Sequence, residues 1–330
     1  MTFPILIISM ALIFDFYNGM NDAANSIATV VSTRVLSPIQ AVAWAAFFNF
    51  FAAFTFGVSV ANTIGKGIVD VSVIDNFVLI SSLAGAIFTS SVATHMGYPI
   101  SVSHAIIGGL GGAALTKAGA TSLIVSGYTK VFIFIFLAPI LGLVIALFFS
   151  IITLWIVKNS VPRKVDKIFR RLQLISAALY SLSHGTNDAQ KTMGIIAIVL
   201  FTNGLLGGSF YVPFWVVILS HSVIALGTFI GGWKVIKTLG MRMTKLTPFG
   251  GFSAETSAGL TILGATAFGI PVSTTHTITG SIAGVGLVKG VGGIKWSVAK
   301  NILWAWVLTI PLSAFFSFAT YSILKVLFLS

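Results

Sequence analysis

Long apolar segments separated by short polar and basic stretches make up most of the chain. Many of them reach or exceed the ~20 residues that cross a bilayer as a helix. They lack the alternation of polar and apolar residues that is typical of membrane strands. Residues 122–157, for example, are almost continuously apolar. The pattern predicts an all-α polytopic membrane protein.

Two of these segments contain a polar, glycine-containing interruption, at residues 18–22 and 183–188. Each interruption predicts a helix that is broken near its middle, with an Asn or Asp as the N-cap of the restarted half. A second apolar segment, at about residues 38–61 or 211–231, follows each interrupted one. We therefore expect one broken helix and one spanning helix in each half of the chain.

The remainder of each half also follows one order. Small and hydroxyl residues gather around a Pro at residues 97–104 and again at 269–276. Such stretches favour helix starts and close helix packing, and here they predict a re-entrant helical hairpin. A long spanning helix is predicted after each hairpin, at residues 122–157 and 297–328.

The matching motifs indicate an internal duplication. Residues 19–23 and 185–189 are 166 positions apart, and the stretches that begin at Pro99 and Pro271 are 172 positions apart. The predicted units are residues 1–157 for the first repeat, 158–172 for a basic connector and 173–330 for the second repeat.

Loop charges predict that the repeats are inverted. Basic residues favour the cytoplasmic side of a membrane. Residues 158–171 and 234–245 carry six and four of them, whereas residues 62–75 carry one. Corresponding loops of the two halves, 62–75 and 232–246, are therefore expected on opposite sides. The arrangement predicts a multi-pass protein of the plasma membrane with both termini on the extracytoplasmic side.

Composition excludes several classes of protein and site. The chain is 56% hydrophobic and 8% charged, with a mean hydropathy of +1.02. A net charge of +12 would suggest a nucleic-acid partner in a soluble protein, but here the basic residues cluster in loops, so no nucleic acid is predicted. The absence of Cys excludes disulfides and thiolate sites, and no HExxH or comparable spacing indicates zinc.

Asp22 and Asp188 are the main functional candidates. An ionised Asp in a membrane segment is costly, so such residues usually face a protein interior or a water-filled cavity. Both lie in matching contexts, after Asn21 and Asn187, and we expect them to meet near the middle of the membrane. Carboxylate and amide oxygens are hard ligands that suit Na⁺. The alternative is that both Asp residues are only helix N-caps.

The predicted hairpins place hydroxyl groups at helix starts. Helix N-termini offer unpaired N–H groups and a positive dipole end, so they favour an oxyanion. The alternative for each hydroxyl is a bond to its own helix or to a neighbouring one. An oxyanion beside two carboxylates is repelled unless cations lie between them, so a cation-coupled oxyanion transporter is predicted. The predicted anion contacts are Ser101, Ser103, Ser273, Thr274, Thr275, Asn25 and Gln190.

Two further pairs of residues match across the repeats. Lys191 corresponds to Asn25, so the two halves differ in charge. Lys191 has two open roles, to neutralise the bound anion or to pair with Glu255. His104 and His276 also correspond, and a structural hydrogen bond is favoured over proton transfer for both.

The paired motifs resemble the inorganic phosphate transporter (PiT) family over nearly the whole chain. The similarity lies in residues 19–23 with 185–189, in 99–104 with 271–276, and in the Gly-Phe-Ser-Ala-Glu stretch at 251–255. It implies inorganic phosphate as the substrate, cotransport with Na⁺ or H⁺, an inverted-repeat architecture and a homodimer.

The resemblance also implies which residues are functional. The essential aspartates of the family fall on Asp22 and Asp188, and its acidic residue of the second half falls on Glu255. One departure is Asn49, which stands where some members carry an acidic residue. The hydroxyl residues of the family fall on Ser101, Ser103, Ser273 and Thr275.

We predict a secondary active transporter that imports inorganic phosphate with Na⁺ by alternating access. Its expected partners are phosphate, Na⁺ as the coupling ion and the lipid bilayer, with no cofactor. The alternatives are H⁺ coupling, sulfate or arsenate as the substrate, and a passive anion channel. A membrane enzyme is disfavoured, because the sequence shows no metal or nucleophile constellation.

Overall fold

The computed structural model describes residues 2–55 and 57–328 of the chain. Within these ranges the chain forms twelve α-helices and a few short 3-10 turns, with one isolated β-bridge between Val69 and Leu123. The predicted all-α class is confirmed. The helices are α1 Thr2–Ser32, α2 Pro38–Phe51, α3 Ser59–Lys66, α4 Asn76–Met96, α5 Val102–Ala118, α6 Val125–Val157, α7 Pro162–Thr202, α8 Phe214–Ile230, α9 Trp233–Arg242, α10 Pro248–Ala267, α11 Thr274–Leu287 and α12 Trp296–Phe328.

Several helices are long and apolar enough to cross a membrane. Helices α1, α4, α6 and α12 meet this condition individually, and the bent pairs α2–α3 and α8–α9 meet it together. Helices α6 and α12 have 33 residues each, about 50 Å at ~1.5 Å per residue, which exceeds a hydrocarbon core of ~30 Å. Large apolar side chains such as Phe136, Ile156 and Val307 are exposed on them. The chain is a multi-pass membrane protein.

The predicted breaks in the first helix of each half are wrong. Helices α1 and α7 run without interruption through residues 18–22 and 183–188, because side chains such as Asn21 and Asn187 find partners on other helices while the backbone keeps its helical bonds. Gly19 serves close packing instead, since a Cβ at this position would lie 2.1 Å from the carbonyl oxygen of Ile224 on α8. The bends lie in the second element of each half, 82° between α2 and α3 and 73° between α8 and α9.

The predicted second spans therefore end in bent segments. Residues 38–61 cover α2 and the start of α3, and residues 211–231 correspond to α8. Helix α9 occupies most of the loop that was predicted at 232–246. Each half thus contains one more helix than the sequence pattern indicated.

Each predicted hairpin is a pair of packed helices, α4 with α5 and α10 with α11. Ser101 and Ser273 are the N-caps of α5 and α11. Their hydroxyl oxygens accept hydrogen bonds at 3.2 Å from the backbone N–H groups of His104 and His276, respectively. The predicted helix starts are confirmed. Because α4 is itself long enough to cross a membrane, the re-entrant character of the hairpins stays a prediction.

The two halves of the chain are interlocked. Helix α5 packs against α12 and α11 against α6, while α3 packs against α7 and α9 against α1. Each of these contacts joins one half to the other and has its counterpart in the opposite direction. Helix α7 begins at Pro162, inside the predicted connector at 158–172, because a Pro at the first helical position and the Lys and Arg residues that follow favour a helix.

Gly227 lets α8 approach α1 closely, and its replacement tests this contact. A Cβ at Gly227 would lie 2.2 Å from the carbonyl oxygen of Phe16. We expect Gly227→Ala to lower the free energy of unfolding by about 1–3 kcal/mol, the usual cost of overpacking, seen as a lower melting temperature in detergent. The control is Gly264→Ala in α10, where nothing lies within 4 Å of the added Cβ. Equal melting temperatures of the two variants would contradict the close approach.

Candidate functional site

Asp22 on α1 and Asp188 on α7 meet in one buried cluster between the two halves. Their side chains are 2% and 0% exposed. The hydroxyl of Thr274, at the start of α11, lies 3.2 Å from Asp22 Oδ2 and 3.3 Å from Asp188 Oδ2. The structure therefore brings together the two carboxylates that the sequence paired, and a hydroxyl group bridges them.

His184 stands between the same two carboxylates. Its Nε2 lies 3.3 Å from Asp188 Oδ2 and 3.7 Å from Asp22 Oδ2. On the other side of the ring, Nδ1 lies 3.1 Å from Asn49 Oδ1, and Asn49 Nδ2 donates to Thr228 Oγ1 at 2.9 Å. Asn49 thus orients the imidazole so that Nε2 faces the carboxylates.

Little in the sequence indicates this role for His184. The one local signal is its spacing of four residues before Asp188, which places both side chains on the same face of α7. Asp22, His184 and Asp188 offer ligand atoms that all lie within 4.8 Å of one another. Carboxylate and imidazole groups so arranged can hold a cation. No ligand spacing predicted this group, because its members lie on two helices that are distant in the chain.

Lys191 on α7 is fully buried and supplies positive charge to the cluster. Its ammonium group forms a salt bridge with Asp188 Oδ1 and a hydrogen bond with Ser103 Oγ. It also donates to the carbonyl oxygen of Val272 at 3.2 Å. Lys191 therefore connects α7 with the tips of both hairpins.

Glu255 on α10 belongs to a separate buried network. Its Oε1 accepts a hydrogen bond from Gln173 Nε2 at 3.0 Å, and its Oε2 accepts one from Ser176. Gln173 Oε1 in turn accepts from Thr33 Oγ1 at 2.9 Å. In residues 2–55 and 57–328, the salt-bridge partner of Lys191 is Asp188 and not Glu255.

The tips of the two hairpins touch each other beside the carboxylates. Ser103 Oγ lies 3.4 Å from the carbonyl oxygen of Val272, and Thr275 Oγ1 lies 3.0 Å from that of Ile100. These two contacts are equivalent in the duplication, because each residue is 172 positions from its counterpart. Helices α5 and α11 thus both begin at the cluster, where the first N–H groups of a helix have no acceptor within it.

The predicted hydroxyl residues divide into two groups. Ser103, Thr274 and Thr275 contact the charged side chains of the cluster. Ser101 and Ser273 cap their own helices, so they influence the cluster through the position of α5 and α11.

Three predicted Asn residues lie at the cluster or next to it. Asn25 Nδ2 donates to Thr275 Oγ1 at 2.9 Å. Asn21 Nδ2 donates to Thr94 Oγ1 of α4 at 2.9 Å, and Asn187 Nδ2 donates in the same way to α10. The Oδ1 atoms of these three Asn residues are buried and have no hydrogen-bond partner in the described part of the chain. Amide oxygens in this state are available to a cation.

Gln190, predicted as an anion contact, is engaged elsewhere. Its Oε1 accepts from the N–H groups of Val60 and Ala61 at the start of α3, at 2.8 and 3.2 Å. Its Nε2 donates to the carbonyl oxygens of Gly57 and Thr186, both at 2.8 Å. The amide group of Gln190 is therefore fully used in holding α3 against α7.

Replacement of Gln190 tests this anchoring role. We expect Gln190→Leu to lower the free energy of unfolding by about 1–3 kcal/mol, because buried N–H and C=O groups lose their partner, and the melting temperature in detergent measures the loss. The control is Gln40→Leu on α2, where the exposed Gln40 bonds to Ser37 at the helix start and a smaller shift is expected. Equal shifts would argue against an anchor at Gln190.

Comparison with known proteins confirms the resemblance that the motifs carry. Residues 18–317 match the phosphate transporter family, a family of transporters and not of enzymes. A probable low-affinity inorganic phosphate transporter of Rhizobium meliloti is 52% identical over 97% of each chain, and one of Bacillus subtilis is 44% identical over 98% of each chain. A solved structure described as the sodium-dependent phosphate transporter is 30% identical and has a TM-score of 0.88, over 99% of this chain and 100% of that one. This chain belongs to the phosphate transporter family.

Proposed function

We propose that this protein is a secondary transporter that moves inorganic phosphate inward together with Na⁺. The charge of the buried cluster carries the proposal. Asp22, Asp188 and Lys191 sum to one negative charge, and a proton on His184 would bring the sum to zero. In neither state does net charge attract an anion, whereas the starts of α5 and α11 beside the cluster offer N–H groups that suit phosphate. Added cations would supply the positive charge that the cluster lacks for binding an anion.

The atoms around the carboxylates support Na⁺ as the added cation. The Oδ2 atoms of Asp22 and Asp188 face the same hydroxyl group, and the Oδ1 atoms of Asn21 and Asn187 are without a hydrogen-bond partner in the described residues. Carboxylate, amide and hydroxyl oxygens are hard ligands of the kind that binds Na⁺. The name of the structural neighbour, the sodium-dependent phosphate transporter, supports the same choice.

We assign phosphate to the space beside the hairpin tips. Ser103, Thr274 and Thr275 present hydroxyl groups there, and Asn25 presents an amide group. Hydroxyl, amide and helix N–H groups can all donate hydrogen bonds to the oxygens of phosphate. Lys191 adds a positive charge next to Ser103. Gln190 is left out, because its amide group is already used.

The reciprocal contacts support inverted repeats and alternating access. A two-fold related pair of elements makes each contact twice with the roles exchanged, as Ser103 with Val272 and Thr275 with Ile100 do. Inverted repeats of this kind allow one bundle to move against the other around a central site. Lys158 between α6 and α7 and the five basic residues at positions 163–171, in the first turns of α7, support a cytoplasmic location for this connection. The proposal includes the plasma membrane, extracytoplasmic termini and the homodimer that the family resemblance implies.

One observation favours a second candidate, coupling to H⁺. His184 Nε2 faces carboxylate oxygens of both Asp22 and Asp188, and imidazole is the side chain that exchanges a proton most readily near neutral pH. Coupling to H⁺ would keep the fold and the substrate, and a proton held by these three groups would replace the Na⁺ ion.

Uptake of radiolabelled phosphate into proteoliposomes tests the proposal. We expect accumulation above equilibrium under an inward Na⁺ gradient and none without a gradient. Accumulation under a proton gradient alone would select the second candidate. Unlabelled sulfate and arsenate as competitors would report selectivity among oxyanions. No accumulation under any gradient would contradict the proposed transport activity.

The charge of Asp22 is expected to be essential for coupling. Asp22→Asn should reduce Na⁺-driven phosphate uptake by at least about tenfold, because a cation in a buried site loses the attraction of a full charge nearby. The variant should stay folded, since the amide has the size of the carboxylate and can bond to the same hydroxyl groups.

The matched control for this variant is Asp166→Asn near the start of α7. Asp166 is exposed and pairs with Arg170 at 2.9 Å, and such surface pairs contribute little. Its replacement should leave uptake unchanged. Equal uptake by Asp22→Asn and Asp166→Asn would disprove the role of Asp22.

A further inference from the structure

The contacts of Lys191 have a counterpart in the first half of the chain, where a different residue takes its place. In the second half, the ammonium group of Lys191 contacts a carboxylate oxygen of Asp188, the hydroxyl of Ser103 and the carbonyl oxygen of Val272. The corresponding residues, 166 positions away in the helices and 172 in the hairpins, are Asn25 for Lys191, Asp22 for Asp188, Thr275 for Ser103 and Ile100 for Val272.

The counterpart oxygens are also grouped together. Thr275 Oγ1 lies 3.2 Å from Asp22 Oδ1 and 3.0 Å from the carbonyl oxygen of Ile100, and it accepts a hydrogen bond from Asn25 Nδ2 at 2.9 Å. Asn25 Oδ1 is buried without a hydrogen-bond partner in residues 2–55 and 57–328. The first half therefore gathers the same kinds of oxygen around a position where the second half has an ammonium group.

We propose that Lys191 is a tethered cation that takes the place of one Na⁺ ion in the second half. The ammonium group carries one positive charge and binds a carboxylate, a hydroxyl and a carbonyl oxygen, which are ligands that Na⁺ also uses. Asn25 brings no charge to the first half, so there a Na⁺ ion neutralises Asp22. This inference rests on the proposed coupling to Na⁺ and specifies the number of ions.

The assignment leaves part of Asp188 available. Lys191 contacts Oδ1 of Asp188, whereas Oδ2 faces Thr274 and His184. A cation shared between Asp188 Oδ2 and Asp22 Oδ2 is therefore compatible with the tethered lysine. The ion that the lysine replaces corresponds to the one proposed beside Asn25 in the first half.

A tethered cation changes how the two halves respond to Na⁺. Because Lys191 is part of the chain, its ammonium group is present at a high and fixed effective concentration. It neutralises Asp188 Oδ1 at every Na⁺ concentration. The equivalent position in the first half fills only when Na⁺ is bound, so only that half couples ion binding at this position to transport.

The decisive experiment exchanges the two residues between the halves. Lys191→Asn gives the second half the residue of the first, and Asn25→Lys does the reverse. Parallel uptake of radiolabelled Na⁺ and radiolabelled phosphate by proteoliposomes gives the number of Na⁺ ions per phosphate. We expect Lys191→Asn to raise this number by about one and Asn25→Lys to lower it by about one, as replacement of a coupling ion by a fixed charge requires.

Lys300→Asn on α12 is the control, because Lys300 is exposed and far from this cluster in the chain. Its ratio of Na⁺ to phosphate should equal that of the wild type. If Lys191→Asn does not fold, Asn25→Lys decides the question by itself, since it leaves the salt bridge of Lys191 with Asp188 in place.

Thermal stability gives an independent readout. Without Na⁺, Lys191→Asn leaves the buried Asp188 Oδ1 without its ammonium partner and should melt at a lower temperature than the wild type. Added NaCl should restore most of this loss, because a bound ion stabilises the folded state, and choline chloride at the same concentration should restore less. A purely structural lysine would give a loss that Na⁺ does not specifically rescue.

Two results would overturn the inference, and they differ in what they leave standing. In the first, the wild type takes up phosphate with Na⁺, but Lys191→Asn has an unchanged ion ratio and its stability is not specifically restored by Na⁺. This result would disprove the tethered cation and leave the proposed function intact. In the second, the wild type shows no Na⁺-driven uptake, which would disprove both the tethered cation and the proposed coupling to Na⁺.

Discussion

The need to compensate buried charge is the constraint on which this structure depends. Asp22 and Asp188 lie in the interior of a membrane protein, where an isolated carboxylate costs several kcal/mol or more. The compensation comes from groups that converge from several elements: an imidazole and an ammonium group of α7, and hydroxyl groups at the starts of α5 and α11. A cluster assembled in this way is a natural binding place for ions, because small changes in its occupants change its charge.

The interlocked packing delivers these groups to one place. The side-chain amides of Asn21 and Asn187 fasten the hairpins to α1 and α7, and the last helix of each half holds the hairpin of the other half. The hairpin tips then meet through Ser103 and Thr275. The position of the hydroxyl groups relative to the carboxylates is therefore set by contacts both within each half and between the halves.

The two halves of the chain share a pattern of contacts but differ in their electrostatic environments. The backbone contacts and several hydrogen bonds recur in both halves, but Lys191 corresponds to Asn25, and His184 corresponds to Asn18. Both changes place cationic or titratable groups on α7 and neutral amides on α1. The second half thus carries a compensating positive charge next to Asp188, whereas the first half has a neutral amide at the corresponding position. The two halves therefore differ in the charge next to the buried carboxylates, although their helices follow the same order.

Hydropathy, repeated motifs and local capping chemistry were enough for the sequence by itself to determine the membrane class, the hairpin starts and the proximity of Asp22 and Asp188. Only the tertiary structure decided that α1 and α7 are continuous, that Gln190 anchors α3 and that His184 joins the cluster. A polar stretch with a glycine is compatible with a broken helix or with a continuous one that packs closely. The choice depends on partners that lie far away in the chain, such as Thr94 for Asn21 and Thr266 for Asn187. The local sequence does not show which distant groups will form hydrogen bonds with a buried amide, imidazole or ammonium.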